Sequence, residues 1–195
     1  LRLMYSSSKP VRYSNLVDKA DDIERALQAG AYLSAFALAL TVPDICSEIE
    51  YPGLKVGERY KRWMDEHYVR WEQNPKLRDQ DIGLKPLRDL ESRLDGNFYY
   101  QVRCSYLHSG NTDVSRCKID SLNLILTLED YEITSVSEPV RGSLSQETEP
   151  SKVYTLSIPL FCMKMCGLIR HVYAPMADDP DMKTRIEDHS FLIRG

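Results

Sequence analysis

The chain has 195 residues, a formal net charge of -4, 43% hydrophobic residues and 28% charged residues. That length suits a single domain with a closed core, and the composition excludes a disordered or fibrous chain. The negative balance excludes a protein whose whole surface attracts nucleic acid, because non-specific binding rests on Lys and Arg meeting phosphates. Local basic clusters at residues 55–62 and 70–88 are interleaved with acids, as on a solvated helix face.

Residues 1–14 mix Ser6, Ser7, Ser8 and Pro10 with isolated aromatics and read as an extended arm. Leu1 in place of Met is the start expected of a processed or truncated chain. From Leu16 to Val42, apolar residues recur three and four apart through Ala20, Ile23, Leu27, Ala31, Ala35 and Leu38, one stripe on a helix face. Gly30 marks a break or a close helix contact, and Pro43 is expected to end the helix or restart a short one, followed by a loop to Gly57. The apolar run 29–42 is too short to span a bilayer and reads as a core helix. No secretory signal pattern precedes it.

Residues 58–72 resume helical spacing through Tyr60, Trp63, Met64, His67 and Trp71, and Asn74-Pro75 closes that helix. The aromatics have the spacing of core packing, although such rings also stack single-stranded bases. Another short helix is expected over 84–94. Asp95-Gly96-Asn97 then turns the chain and caps a helix over 98–108, with Gly110 just past its end.

Beyond Asp120 the period changes to two. Leu122, Leu124, Leu126 and Leu128 predict one strand, and Val153 or Tyr154 with Leu156 and Ile158 another. The Ser-, Glu-, Gly- and Pro-rich stretch 135–152 between them reads as a long hairpin loop. Helical spacing returns over 159–173, and 190–193 forms a last strand or helical turn. Cys46, Cys104, Cys117, Cys162 and Cys166 cannot all pair with one another and suit buried thiols in a reducing cytoplasm. Cys162 and Cys166, four apart with His171 beyond, have a spacing that can hold zinc, but no second cysteine pair accompanies them and core thiols are the expected reading. The fold class is therefore α+β, mainly α: one domain, with a helical core over 15–112 and a β-containing extension over 118–195 packed on it.

Arg103 and His108 lie on the helix that Gly110 closes. Histidine, with an ordinary pKa of about 6.5, can take a proton from a ribose 2′-hydroxyl or give one to a leaving oxygen. Arginine grips phosphate oxygens through a fixed fork of donors. Residues five apart on an α-helix stand about 140° apart, so the two are expected to flank a groove within one chain or across a two-fold axis. Ser105, Tyr106, Ser109 and Asn111 are neighbouring polar groups suited to placing a phosphate or base, Tyr106 equally suited to the core. An Arg103 with a purely structural role would pair with Asp95 or Glu91.

This constellation resembles the HEPN superfamily, whose signature is an Arg, four to six intervening residues and a His on a helix of a small bundle. The resemblance covers residues 16–110 and rests on Arg103, His108, the long first helix and the Gly after the motif. It implies a metal-independent endoribonuclease, usually a homodimer and often in toxin or antiviral defence; no cofactor and no membrane partner are expected, and any antitoxin partner is left unnamed. Many members place Asn, Asp or His after the Arg, where this chain has Cys104. The alternative is a catalytically inactive RNA-binding or protein-assembly module, suggested by an extension larger than a minimal bundle needs. No phosphate-cradling Gly loop, nucleophile elbow or paired-carboxylate metal signature is present.

Overall fold

A computed structural model of the chain describes residues 11–13, 16–70, 94–136, 152–176, 179–188 and 191–193. The expected helix over 84–94 and the Asn74-Pro75 stop lie outside the described residues, apart from a buried Leu94. The first long apolar run forms two helices, α1 (Val17–Gln28) and α2 (Tyr32–Glu50). They are separated by Gly30, where Ala31 N–H bonds the Ala26 carbonyl and Gly30 N–H bonds Leu27, the paired bonds of a Schellman ending.

Pro43 does not end α2, contrary to the expectation from its chemistry. An interior proline costs about 3 kcal/mol, while burying one large aliphatic side chain returns about 1.5–3 kcal/mol. The turns beyond Pro43 bury Ile49 completely together with Cys46, and Phe36, Ala39 and Leu40 are buried before it. Burial on both sides of the proline keeps one helix running. Among the described residues, α2 alone has the length and apolarity to cross a bilayer, yet half of that span is buried in the bundle.

A short loop leads to α3 (Val56–Trp63), which continues as a wider π turn over Met64–Val69. Its Tyr60, Trp63 and Tyr68 are fully buried and belong to the core. The next described helix is α4 (Gly96–Cys104), also continued by a π turn, Ser105–Ser109. The helix after the sheet, α5 (Ile158–Leu168), starts on Ser157, whose hydroxyl accepts from Leu160 N–H at 3.2 Å, with Pro159 in the first turn. A π turn at Ile169–Tyr173 and a single helical turn at Ala174–Met176 follow it. The last helix is α6 (Pro180–Asp188).

α2 is the hub, packing on α1, α3 and α5. Phe161 of α5 meets Phe36 of α2, Tyr68 of the α3 extension and Tyr99 of α4, with ring centroids 5.4, 5.4 and 6.1 Å away. α5, which follows the sheet, is thus built into the same core as the N-terminal helices. Arg170 adds an exposed clamp across α1, bonding Asp21 at 2.9 Å and Glu24.

Strands β2 (Leu122–Thr127), β3 (Ile133–Val136) and β4 (Lys152–Ser157) form one sheet in the order β2-β4-β3. β4 pairs parallel to β2, Leu126 opposite Leu156, and antiparallel to β3, Ile133 opposite Thr155. The two strands expected to form an antiparallel hairpin across the 135–152 loop therefore run parallel within a mixed sheet, and β3 begins just before that stretch. β4 takes the centre because it buries Tyr154 and Leu156, whereas β3 is short and half-exposed, as an edge strand tolerates. Tyr154 meets Phe98 of α4 at 5.7 Å, so the sheet rests on the first turn of the helix that carries Arg103 and His108. The chain ends pair as β1 (Val11–Tyr13) against β5 (Phe191–Ile193), antiparallel.

Candidate functional site

α4 is fixed at both ends. Asp95 caps it, its carboxylate accepting from Phe98 N–H at 3.0 Å, and Asp65 of the α3 extension accepts from Gly96 N–H at 2.6 Å. Gly96 is pressed on α3 so closely that a Cβ there would lie 2.1 Å from the Lys61 carbonyl oxygen. Phe98, Tyr99 and Val102 face the core and turn the other side of the helix outward. At the far end Gly110, at φ +64, donates to the Tyr106 carbonyl at 3.2 Å and closes the helix in the left-handed conformation.

The change from α to π at Ser105 decides the geometry. A π turn is closed by bonds between residues five apart, so residues i and i+5 come onto one face. The 140° separation expected of an α-helix therefore disappears. Arg103 Nη1 lies 3.0 Å from His108 Nε2, and one chain assembles the pair without a second copy.

Arg103 is otherwise held by α2. Its Nε and Nη2 both reach Asp44 Oδ2 at 3.0 Å, and both side chains are more than four-fifths buried. Burial is the largest influence on Asp44 and lifts its carboxyl above the ordinary aspartate range despite Arg103. On Arg103, burial pulls down but is outweighed by Asp44 and Cys104, so the guanidinium is held above its ordinary value. Among the described residues, Asp44 Oδ1 and Arg59 Nε are buried without a hydrogen-bond partner. The Cys104 thiol sits 4.0 Å from Arg103 Nη1 and is hydrogen-bonded to Tyr100.

Arginine has no lone pair to offer. The Arg103–His108 bond therefore makes His108 Nε2 the acceptor and places the imidazole proton on Nδ1. His108 is exposed and Arg103 is not, so the histidine is the member that meets solvent.

The remaining predicted site residues are distributed unevenly. Ser105 donates its hydroxyl to the Asp113 carbonyl, and Asn111 Oδ1 accepts from Asp113 N–H at 3.0 Å, so both fold the following loop back on the helix. Tyr106 donates to the Leu33 carbonyl at 3.1 Å while its ring lies edge-on to Phe36 at 4.8 Å, which ties α4 to the start of α2. Ser109 is exposed beside His108. Neither Asp95 nor Glu91 is seen paired with Arg103, since Asp95 is the helix cap and Glu91 lies outside the described residues. No protein-family profile, curated protein or solved structure matches the chain.

Asp44 is the residue that sequence reasoning missed. Its signal is a lone acid within the apolar stretch 38–46, just past Pro43, where the helix is expected to end or to restart as a short one. Away from this site, Glu50 accepts from Trp63 Nε1 at 3.1 Å, from Tyr173 and from His67 at 2.9 Å, which anchors the end of α2 to α3 and α5. Cys162 and Cys166 are buried in the bundle, where loss of hydration pushes their thiols up to about 12 and about 11. Cys166 donates to the Ala20 carbonyl at 3.5 Å, as a core thiol does.

Proposed function

We propose that the chain is a metal-independent endoribonuclease of the HEPN type, in which His108 exchanges the proton and Arg103 clamps the phosphate. The observation that carries this reading is the 3.0 Å contact between an exposed histidine and a buried arginine anchored from behind. The neutral ring has a lone pair on Nε2, the form a general base needs to take a 2′-hydroxyl proton. Once protonated, His108 and Arg103 would face each other as two cations and two donors. An anionic phosphate between them relieves that conflict by accepting from both, and its charge grows as the bond to the leaving oxygen breaks. In this reading Ser109, exposed beside His108, contacts the same group, while Ser105, Tyr106 and Asn111 support the helix end.

In this reading the protein works in the cytoplasm, in a toxin or defence setting, as a homodimer whose second copy extends the RNA groove, and an antitoxin would restrain it. The test uses wild-type protein, excess EDTA, a single-stranded RNA and the same strand with 2′-deoxyriboses. The RNA is cleaved and the deoxy strand is left intact. Cleavage of both strands, or dependence on added metal, contradicts the chemistry.

The second reading, a catalytically silent RNA-binding or assembly module, is favoured by a different observation. On the outer side of the sheet, Ile125, Thr155 and Ile133 line up across all three strands, with Ile125 and Ile133 half-exposed and Leu128 and Tyr131 exposed nearby. A module of that kind would bind RNA or protein without cutting RNA.

A further inference from the structure

Asp44 stands among apolar neighbours on α2, with Val42 buried before it and Cys46 buried after it. A carboxylate in such a place needs a cation, and the cation it meets is Arg103, whose Nε donates to Oδ2 at 3.0 Å while Nη2 lies 3.0 Å from the same oxygen. Two nitrogens of one guanidinium set against one oxygen fix the plane of the group as well as its position. With Nε and Nη2 committed to Asp44, the Nη1 edge is the one turned toward His108. The neighbouring cation, Arg59, bonds Glu48 at 2.9 Å and so does not compete for that oxygen. Asp44 bonds Arg103 and Arg103 meets His108, so the link from the carboxylate to the histidine runs through the guanidinium.

We infer that Asp44 is the positioning residue of the site: it holds the Arg103 guanidinium so that Nη1 is presented to His108 and to a phosphate, and thereby fixes the resting tautomer of His108. The consequence for RNA cleavage rests on the nuclease reading; the consequence for His108 does not. A misplacement of about 1 Å in such a group costs about 100-fold in rate. Because phosphate charge is clamped most strongly in the transition state, the loss falls on kcat and on kcat/KM alike.

The experiment is the isosteric substitution Asp44→Asn in the full chain, read in two ways. The first is the imidazole nitrogen spectrum of His108 at neutral pH, which reports which ring nitrogen carries the proton. Wild-type protein is expected in the Nδ1–H form, and D44N in a mixture with the Nε2–H form that predominates in free histidine side chains. The second is single-stranded RNA cleavage, expected to fall about 100-fold in kcat with KM little changed. An unchanged His108 spectrum overturns the inference, and so does a D44N protein that fails to fold, because that outcome makes Asp44 a support of the core. If wild-type protein cuts no RNA while D44N still shifts the His108 signals, the nuclease reading fails and the positioning role stands. Asp44→Glu restores the charge on a longer arm and is expected to recover the Nδ1–H form in part; recovery no greater than in D44N contradicts a role for the charge.

Discussion

Gly96→Ala tests the seating of the motif helix. The added Cβ would start 2.1 Å from the Lys61 carbonyl oxygen, 2.8 Å from its carbon and 3.0 Å from Asp65 Cγ. Ordinary carbon–oxygen contacts begin near 3.3 Å, so α4 and α3 must part by about 1.2 Å. The obstacle is backbone, which cannot rotate aside, and the movement also stretches the Gly96 N–H bond to Asp65. Overpacking of this sort costs about 3 kcal/mol, the upper end of its usual span. Alanine's better helix propensity offsets up to about 1 kcal/mol, leaving a net loss of about 2 kcal/mol. For a chain of this size that lowers Tm by about 4–8 °C. Thermal unfolding followed by circular dichroism, with a urea midpoint at 25 °C, measures it. A G96A protein as stable as wild type would refute the argument, since it would mean that the helices do not touch at this point.

Two further predictions probe the packing of the bundle away from the site. Burial is the largest influence on Glu50 and pushes its carboxyl up, but hydrogen bonds from His67 and Tyr173 prevail and hold it below the ordinary glutamate range. A lowered carboxyl adds stability above its unfolded value, about pH 4.3, and that stability is lost as pH falls through the lowered folded value. Glu50→Gln should therefore flatten the loss of urea stability below about pH 4.3, and an acid limb as steep as wild type would contradict it. Among the five thiols, Cys46, Cys117, Cys162 and Cys166 are buried and Cys104 is only partly so. A thiol reagent at neutral pH should label one cysteine, Cys104, in the native protein and all five in denaturant; rapid native labelling of Cys162 or Cys166 would show that α5 is not seated in the core.

Much of the architecture is legible because burial writes a period into the chain. The break at Gly30, the helix after Asp95, its glycine ending at Gly110, the strand over Leu122–Thr127 and the helix after Ser157 follow from spacing, caps and turn chemistry. Pro43 misleads because its penalty is local and visible in the sequence, whereas the burial of Cys46 and Ile49 that offsets it is tertiary. The sheet's parallel pairing is hidden because register and neighbour choice depend on contacts distant in sequence, and β3 is too short and too polar to announce itself. At the site, Arg103 and His108 stand out from their residue types alone. Their contact does not, because it depends on the α-to-π change at Ser105, which residue types and spacing do not announce and which lies where Tyr106 meets Phe36 and Leu33 and Ser105 bonds Asp113. Asp44, separated from Arg103 by 59 positions, leaves only the trace of an acid in an apolar stretch.

The most direct measurement of the central claim is the rate at which wild-type, His108→Ala and Arg103→Ala proteins cleave one RNA in EDTA, with thermal unfolding run on each. His108 is exposed and its replacement should leave Tm unchanged, while loss of either partner should remove cleavage by about 100-fold or more, the scale of a general acid–base group or a transition-state clamp. A folded H108A protein that cleaves as fast as wild type would show that the Arg103–His108 pair is not the working chemistry.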